Sequence, residues 1–232
     1  MEDSPLSRRR LLWGAAGAAG AAGTALAVAG LSRLTGPEEK VKAAPPSPVR
    51  KAPVAAPPAT PRRAAPTDYA PAVWIPASES NYMPADRPES DPIEYVVIHL
   101  TTDHLPIMIA TFEDPAERVS AHYVVSANGT RIAQCVRERD VAWHSGNVWY
   151  NHRSIGIEHE GWIDQPVYTD QMYEASAMLA ATICAKYDVP VDRDHILGHV
   201  EVPLSTHEDP GDVWNWDKYM KLVATARRRV RT

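Results

Sequence analysis

The chain of 232 residues lacks the features that mark several large classes of protein. It contains only two cysteines, which excludes a disulfide-dense scaffold and a cysteine-rich zinc module. It has no surplus of positive charge, since 24 Lys and Arg face 29 Asp and Glu, and this argues against a nucleic-acid partner. No His-Glu-x-x-His motif occurs, which removes the commonest form of metalloprotease. The remaining composition, 44% hydrophobic and 23% charged, is typical of a folded protein.

Charge, proline and histidine are unevenly distributed along the chain. Residues 1–90 hold 11 Lys and Arg and 8 Asp and Glu, whereas residues 91–232 hold 13 and 21. Fourteen of the 21 prolines lie within residues 37–92, and all nine histidines lie in the second part. We therefore predict a leader over residues 1–32, a disordered Pro/Ala-rich linker over 33–90 and one folded domain over 91–232.

The leader has the layout of an export signal. Arg8, Arg9 and Arg10 precede an uncharged stretch, rich in Ala and Gly, that extends to Ser32. Paired arginines before a weakly hydrophobic segment are typical of a twin-arginine signal, which predicts an extracellular, periplasmic or cell-wall-associated protein. The alternative is an uncleaved membrane anchor, because about 20 uncharged residues can span a bilayer. Both alternatives place the domain outside the cytoplasm.

The domain is predicted to be α/β, with a mixed central β-sheet and helices packed on it. Short β-branched runs indicate strands, and Asn128-Gly129 predicts a tight hairpin in which both central residues have positive φ. Apolar positions at helical spacing after the capping residue Thr169 predict a long helix. The predicted strands are 93–99, 121–125, 130–136 and 154–158, and the predicted helices are 104–113, Thr169 to about Tyr187, and about Trp216 to Arg229.

Three histidines and an aspartate carry the most chemistry. His99 ends the first predicted strand, His199 follows a short strand-like run, and His207 and Asp209 lie in the next loop. Two imidazoles and one carboxylate with an open fourth position form a catalytic zinc arrangement, in which a bound water becomes acidic. The spacing alone is also compatible with structural histidines at strand ends.

The complete set of motifs resembles one family. From Tyr95 onwards the domain is similar to the zinc-dependent N-acetylmuramoyl-L-alanine amidases, relatives of the peptidoglycan recognition proteins. Seven short segments appear in family order over essentially the whole domain: Val96-Val97-Ile98-His99, Ser120-Ala121-His122-Tyr123-Val124-Val125, Asn128-Gly129-Thr130, Ala142-Trp143-His144-Ser145-Gly146, Ser154-Ile155-Gly156-Ile157-Glu158, Gly198-His199, and Asp209-Pro210-Gly211 with Trp214-Asn215-Trp216.

The resemblance implies a role for each matching residue. His99, His199 and Asp209 match the ligands of one zinc ion, and Glu158 matches the glutamate that serves as general base and acid. His207 matches a position where the family has lysine or histidine, and there it stabilises the oxyanion. The implied reaction is hydrolysis of the amide between N-acetylmuramic acid and L-alanine, with peptidoglycan or a muropeptide as the partner.

Other residues have two interpretations each. Tyr123, Trp143, His144 and Asn151 are candidates for a substrate groove, while Tyr123 and Trp143 are equally suited to the core and His144 is equally suited to contact a metal ligand from behind. Glu160 is a rival for the base, because two residues along a strand it would share a face with Glu158. Cys135 and Cys184 either form a disulfide outside the cytoplasm or stay buried and unpaired.

Two other functions remain open from sequence. One is a peptidoglycan-binding module without catalysis, which the presence of both Asp209 and Glu158 disfavours. The other is an unrelated zinc hydrolase that shares only the two-histidine, one-carboxylate set. In each case we expect no nucleic-acid partner, and membrane contact only through an uncleaved signal segment.

Overall fold

The part of the chain that the structure, a computed structural model, describes has short strands and four α-helices around one main sheet. The structure describes residues 67–164 and 168–230, so the predicted leader and the predicted linker up to residue 66 lie outside the described residues. The strands are β1 Val73–Trp74, β2 Tyr82–Met83, β3 Tyr95–Leu100, β4 Tyr123–Val125, β5 Ile132–Gln134, β6 Val141–Ala142, β7 Ser154–His159 and β8 Ile196–Gly198. The helices are α1 Leu105–Glu113, α2 Val148–Arg153, α3 Asp170–Tyr187 and α4 Trp216–Arg227.

The main sheet has six strands in the order β1-β5-β4-β7-β3-β8. Strand β3 runs parallel to both β7 and β8, and β4 runs parallel to β7 but antiparallel to β5. A second, two-stranded sheet pairs β2 with β6. The predicted fold class, an α/β domain with a mixed central sheet, is confirmed.

The buried side chains form two clusters, one on each side of the main sheet. The larger cluster is covered by α3 and α4 and contains Ile98 of β3 and Ile157 of β7. The second lies against α1 and contains Val124 of β4. Because alternate residues of a strand face opposite sides, His99 on β3 and Glu158 on β7 project from the side away from α3 and α4.

Helices α3 and α4 begin at residues whose side chains cap them. The side chain of Thr169 accepts a hydrogen bond from the N–H of Met172 at the start of α3, and Asn215 accepts one from the N–H of Lys218 at the start of α4. These bonds satisfy N–H groups that the first turn of a helix leaves unpaired. Within the described residues, no helix combines the length and the hydropathy needed to cross a membrane.

The predicted hairpin is present, but its turn differs from the prediction. Strands β4 and β5 are joined by residues 126–131, and only Gly129 has a positive φ, of 67°. The carbonyl of Ser126 accepts the N–H of Gly129 at 2.8 Å, so the chain reverses in a four-residue turn. A Cβ at Gly129 would lie 2.3 Å from the backbone oxygen of Gln171, because this loop packs on the start of α3.

The predicted linker extends too far along the chain. Residues 67–90 belong to the folded unit, because β1 pairs with β5 and the guanidinium of Arg87 is buried. This guanidinium donates to five backbone carbonyls, those of Glu138, Asp140, Asn151, His152 and Ser154. The composition of this segment resembles that of a linker because the segment is held by a few buried side chains, such as that of Arg87, and by backbone hydrogen bonds. Neither kind of contact produces a periodic pattern of apolar residues in the sequence.

The two cysteines are both buried and free. Cys135 belongs to the cluster against α1 and Cys184 to the cluster under α3 and α4, so the sheet separates them. The unpaired alternative is therefore the correct one.

Candidate metal centre

The three predicted metal ligands meet at the carboxyl ends of β3 and β8. His99 lies near the end of β3, His199 directly follows β8, and Asp209 lies in the loop that leads towards α4. One ligand atom from each residue lies within 4.8 Å of the other two, and all three residues are buried. The strand ends of an open α/β sheet are the usual place for a ligand site.

Asp209 connects the two histidines. Its Oδ1 accepts a hydrogen bond from Nδ1 of His199 at 3.1 Å, and its Oδ2 lies 3.4 Å from Nδ1 of His99. The N–H of Leu100 donates to Oδ2 as well, at 3.2 Å. Ligand atoms around a tetrahedral zinc, with bonds of about 2.0–2.1 Å, are separated by about 3.3 Å. The separations of the two imidazole nitrogens from the carboxylate of Asp209 are therefore close to those expected around such an ion.

The ionisation states of these groups also suit a metal. Burial opposes ionisation of Asp209, but the hydrogen bond from His199 and the closeness of His99 outweigh it and hold the pKa of this carboxyl well below its usual range. Burial, followed by the proximity of His199, lowers the pKa of His99 to about 4. A neutral imidazole and an ionised carboxylate are the forms that bind metal ions.

Glu158 lies next to this cluster. It pairs in register with His99 across β7 and β3, so both side chains project from the same side of the sheet. Its Oε2 is buried and has no hydrogen-bond partner among the described residues. Burial, and then repulsion by Asp209, raise the pKa of Glu158 well above its ordinary value. A buried carboxylate oxygen without a partner beside a donor cluster is typical of a functional site.

His207 covers the solvent side of the cluster. Its ring stacks on the ring of His199, with centroids 4.3 Å apart and an angle of 19° between the planes. Its side chain is 39% exposed, against 6% for His199, and its Nδ1 lies 3.8 Å from Oδ1 of Asp209. Burial and the proximity of His199 lower the pKa of His207. This position would bring His207 close to a substrate that enters from solvent.

One of the predicted substrate-groove residues, His144, contacts the cluster, and a second, Trp143, is partly exposed. Nδ1 of His144 is 3.0 Å from Nε2 of His99, which places this ring directly behind a metal ligand. Trp143 is half-buried, and the guanidinium of Arg118 lies 4.8 Å from the centroid of its ring. Contact of either residue with substrate stays a prediction.

The other two groove predictions are wrong. Tyr123 is fully buried on the α3 and α4 side of the sheet, opposite Glu158, and its hydroxyl donates to Glu138 at 2.6 Å. Asn151 is buried too, and its Oδ1 accepts hydrogen bonds from the N–H groups of His144 and Ser145. Tyr123 is therefore a core residue, and Asn151 fixes the backbone that carries His144.

Glu160 does not compete with Glu158 for the role of base. Its Oε1 accepts the N–H of Leu105 and contacts Nδ1 of His104, while its Oε2 accepts the N–H of Ala127. Both oxygens are therefore already bonded, at the start of α1 and in the β4–β5 loop.

Sequence reasoning missed one polar residue beside the centre. Oγ of Ser154 lies 3.1 Å from Nε2 of His144 and belongs to the same strand as Glu158. The alternation of β7 holds the signal, because residues 154, 156 and 158 project from one side of the sheet. On that side, Gly156 indicates room for another side chain, and Ser154 indicates a group that can form hydrogen bonds with it.

The fold and these side chains together define a metal-dependent hydrolase: a mixed α/β sheet with two histidines and an aspartate at its strand ends, beside a buried glutamate. Comparison with known proteins gives the family. The family model described as N-acetylmuramoyl-L-alanine amidase matches residues 89–212. The chain belongs to this family and is a hydrolase that acts on peptidoglycan.

Individual relatives agree with this assignment. N-acetylmuramoyl-L-alanine amidase A of Achromobacter lyticus is 34% identical over 153 residues, which are 58% of this chain and 85% of the relative. A crystal structure of an AmpD derivative superposes with a TM-score of 0.57 at 26% identity, covering 67% of this chain and 96% of that one. AmiD of Escherichia coli, solved with anhydro-N-acetylmuramic acid-L-Ala-D-γ-Glu-L-Lys, has a TM-score of 0.50 at 30% identity, covering 56% and 57% of the two chains.

Proposed function

We propose that the chain is a zinc-dependent amidase that cleaves the amide between the lactyl group of N-acetylmuramic acid and L-alanine of the stem peptide. His99, His199 and Asp209 would hold the ion. When bound there, zinc supplies a Lewis acid and lowers the pKa of a bound water. The observation that carries the proposal is the unpartnered buried oxygen of Glu158 next to the three donors.

Glu158 acts as the proton carrier of the reaction. Its carboxylate takes a proton from the attacking water, and its carboxylic acid then delivers that proton to the nitrogen of alanine as the amide breaks. The raised pKa of Glu158 suits both steps, because a group that ionises nearer to neutral pH can accept and return a proton.

His207 donates a hydrogen bond to the oxygen of the scissile carbonyl as negative charge develops there. It is the partly exposed imidazole next to the ligands, stacked on His199, so a substrate can reach it without displacing a ligand. A donor placed where charge develops stabilises the transition state more than the ground state.

The substrate class is a muramoyl peptide. AmiD of Escherichia coli was solved with such a compound, and this chain is 30% identical to AmiD over the shared region. Trp143 and His144 are the candidates for contacts with the peptide or sugar.

The decisive test compares two neighbouring carboxylates. Glu158→Gln should lower kcat by about 10²–10⁴-fold, because the amide cannot carry the proton, while zinc stays bound. Glu160→Gln is the matched control, since it makes the same change two residues away and should retain catalysis. Digests of purified sacculi are analysed by mass spectrometry for new L-alanine amino termini. Full activity of Glu158→Gln would remove this residue from the mechanism.

A chelator separates catalysis from binding. Removal of zinc should abolish the release of amino termini, and addition of one equivalent of zinc should restore it. Binding to sacculi with zinc present, but with no new amino termini under any condition, would instead support a non-catalytic module.

We also propose that the domain is exported through the segment 1–32. Support comes from Arg8-Arg9-Arg10 before the Ala/Gly-rich stretch and from a substrate that is part of the cell wall. Fusion of residues 1–66 to a reporter that must fold before export tests this, with Arg9 and Arg10 both changed to Lys as the control. Retention of the unaltered fusion in the cytoplasm would contradict it.

A further inference from the structure

A chain of hydrogen bonds leads from His99 away from the metal ligands. Nε2 of His99 lies 3.0 Å from Nδ1 of His144, and Nε2 of His144 lies 3.1 Å from Oγ of Ser154. Oγ of Ser154 is in turn 2.5 Å from the backbone carbonyl of Tyr150, within α2. We call His144 and Ser154 the relay.

The carbonyl of Tyr150, which follows the relay, fixes the direction of every hydrogen bond in this chain. The carbonyl of Tyr150 can only accept, so Ser154 donates its single proton there and must accept from Nε2 of His144. A neutral His144 that donates through Nε2 accepts through Nδ1, and therefore Nε2 of His99 is the donor. The proton of His99 then sits on Nε2, which leaves the lone pair of Nδ1 directed at Asp209 and His199.

The fold provides a specific seat for the His144 ring. A Cβ at Gly156 would lie 2.5 Å from Cγ of His144, so the ring occupies the space that the glycine leaves open on β7. The backbone of His144 is fixed separately, since its N–H donates to Oδ1 of Asn151 at 3.1 Å. These contacts hold the ring at the back of His99.

The backbone of His99 has its own support on the other side of the sheet. Nδ1 of His159 lies 2.9 Å from the carbonyl of His99, and Nε2 of His159 lies 2.6 Å from Oγ of Ser176. Loss of the relay should therefore free the His99 ring without moving its strand.

We infer that His144, supported by Ser154 and seated on Gly156, is a positioning residue that holds His99 in the tautomer and orientation that bind the metal. This rests on the proposed zinc site. Outer-shell partners of a metal-ligating histidine fix its tautomer, and their loss typically costs about 10–100-fold in metal affinity. Contact with substrate alone would not give His144 this effect on metal affinity.

The test measures zinc affinity directly, by competition with a chromophoric chelator in the full chain. His144→Ala should weaken zinc binding by about 10–100-fold. His144→Asn should recover most of that loss, because Oδ1 of asparagine can accept where Nδ1 of histidine does. Ser154→Ala should weaken zinc binding in the same direction by a smaller factor. Thermal melts of each metal-free variant check that it folds.

A double-mutant cycle with Gly156 makes the test specific. Gly156→Ala removes no polar group, but its methyl displaces the His144 ring, so it should weaken zinc binding about as much as His144→Ala. In a chain that already carries His144→Ala, the glycine substitution should cost nothing further in zinc affinity, because the two changes act through one ring. If Gly156→Ala lowers zinc affinity equally in both backgrounds, Gly156 acts independently of His144. That result would contradict the proposal that the His144 ring occupies the space beside Gly156.

Nitrogen NMR of ¹⁵N-histidine-labelled, metal-free protein provides a second readout. The proton of His99 should reside on Nε2 in the unaltered chain and should distribute over both nitrogens in His144→Ala. Unchanged zinc affinity and an unchanged His99 tautomer in His144→Ala would overturn the inference, and a raised KM alone would assign His144 to substrate. An unaltered chain that binds no zinc would contradict the zinc proposal itself, whereas one that binds zinc equally well in all variants contradicts only the relay.

Discussion

Glu158 and Glu160 show how strongly the surroundings of a residue determine its chemistry. Both are glutamates near the end of β7, yet Glu158 has a buried oxygen without a partner and Glu160 has donors on both oxygens. Burial raises the pKa of Glu158, whereas the N–H groups of Ala127 and Leu105 outweigh partial burial and lower the pKa of Glu160. The two surroundings therefore move the pKa values of these carboxyls in opposite directions, and only that of Glu158 moves towards neutral pH.

A substitution at Tyr123 tests its assignment to the core. Tyr123→Phe removes the hydroxyl that donates to Oε1 of the buried Glu138, and it should lower the free energy of unfolding by about 1–3 kcal/mol. The kcat and KM of the folded variant should stay unchanged, because this side chain lies on the opposite side of the sheet from Glu158. Urea unfolding and muropeptide kinetics measure the two effects.

Tyr187→Phe is the control for Tyr123→Phe. It removes a second hydroxyl from Glu138, but Lys186 still donates to the same oxygen, so its cost should be smaller. A raised KM for Tyr123→Phe with an unchanged free energy of unfolding would instead support the prediction that Tyr123 lines the substrate groove.

The cluster of candidate metal ligands could be predicted from sequence, whereas the direction of several neighbouring side chains could not. His99, His199 and Asp209 belong to motifs with a fixed order, and the structure brings them together. All three residues of β4 are buried, so its sequence gives no alternation to show which side Tyr123 faces. Asn151 was misjudged for a related reason, because α2 is too short to give a helical pattern and its orientation depends on tertiary packing.

At the scale of elements, the sequence located the middles of strands and helices better than their connections. Strands β3 and β7 and helices α1, α3 and α4 all lie close to where they were predicted, and α3 begins after its predicted capping residue Thr169. The β4–β5 turn differed because Gly129 must also accommodate the backbone of Gln171. That contact joins segments far apart in the chain, and local turn preferences do not include it.

Glu160 joins three elements, and its contribution to stability should depend on pH. Glu160→Gln should lower the free energy of unfolding at pH 7 by about 1 kcal/mol, since the carboxylate bonds the N–H of Leu105 at the start of α1. The folded pKa of Glu160 is below that of an unfolded glutamate, about 4.3, so the carboxylate stabilises the fold fully above this value and less as pH falls through the folded pKa.

The measurement is urea unfolding of the unaltered chain and Glu160→Gln at pH 7 and then from pH 5 down to pH 3, the range in which the glutamate titrates. The difference in unfolding free energy between the two should shrink towards zero as the pH falls. Thr169→Ala, which removes the cap of α3 but no charge, should give a difference that does not change with pH. A difference for Glu160→Gln that grows on acidification would contradict the assignment.

At the scale of the whole molecule, residues 67–90 decide where the folded unit begins. This segment carries β1 and Arg87, and Arg87 bonds carbonyls at the C-terminal end of α2 and of Ser154 directly after it, as well as those of Glu138 and Asp140. Asp68 adds a further link, since its carboxylate accepts from the side chain of Gln134 in β5. The composition of the segment did not reveal these contacts, because each depends on a partner more than 50 positions along the chain.

Two truncated chains test this boundary. A chain beginning at residue 67 should fold and cleave muropeptides like the full chain, whereas a chain beginning at residue 91 should fail to fold or lose most of its stability. The shorter chain leaves the carbonyls that Arg87 serves buried and unpaired, and each such group costs about 1–3 kcal/mol against a typical total stability of about 5–15 kcal/mol. Urea unfolding followed by circular dichroism compares the chains.

The substitution Arg87→Met in the chain from residue 67 isolates the contribution of the guanidinium, because it keeps the apolar stem and β1 while removing every hydrogen bond the guanidinium donates. This substitution should account for a large share of the stability that is lost in the chain beginning at residue 91. Equal stability of the two truncated chains would show that residues 67–90 are part of the linker.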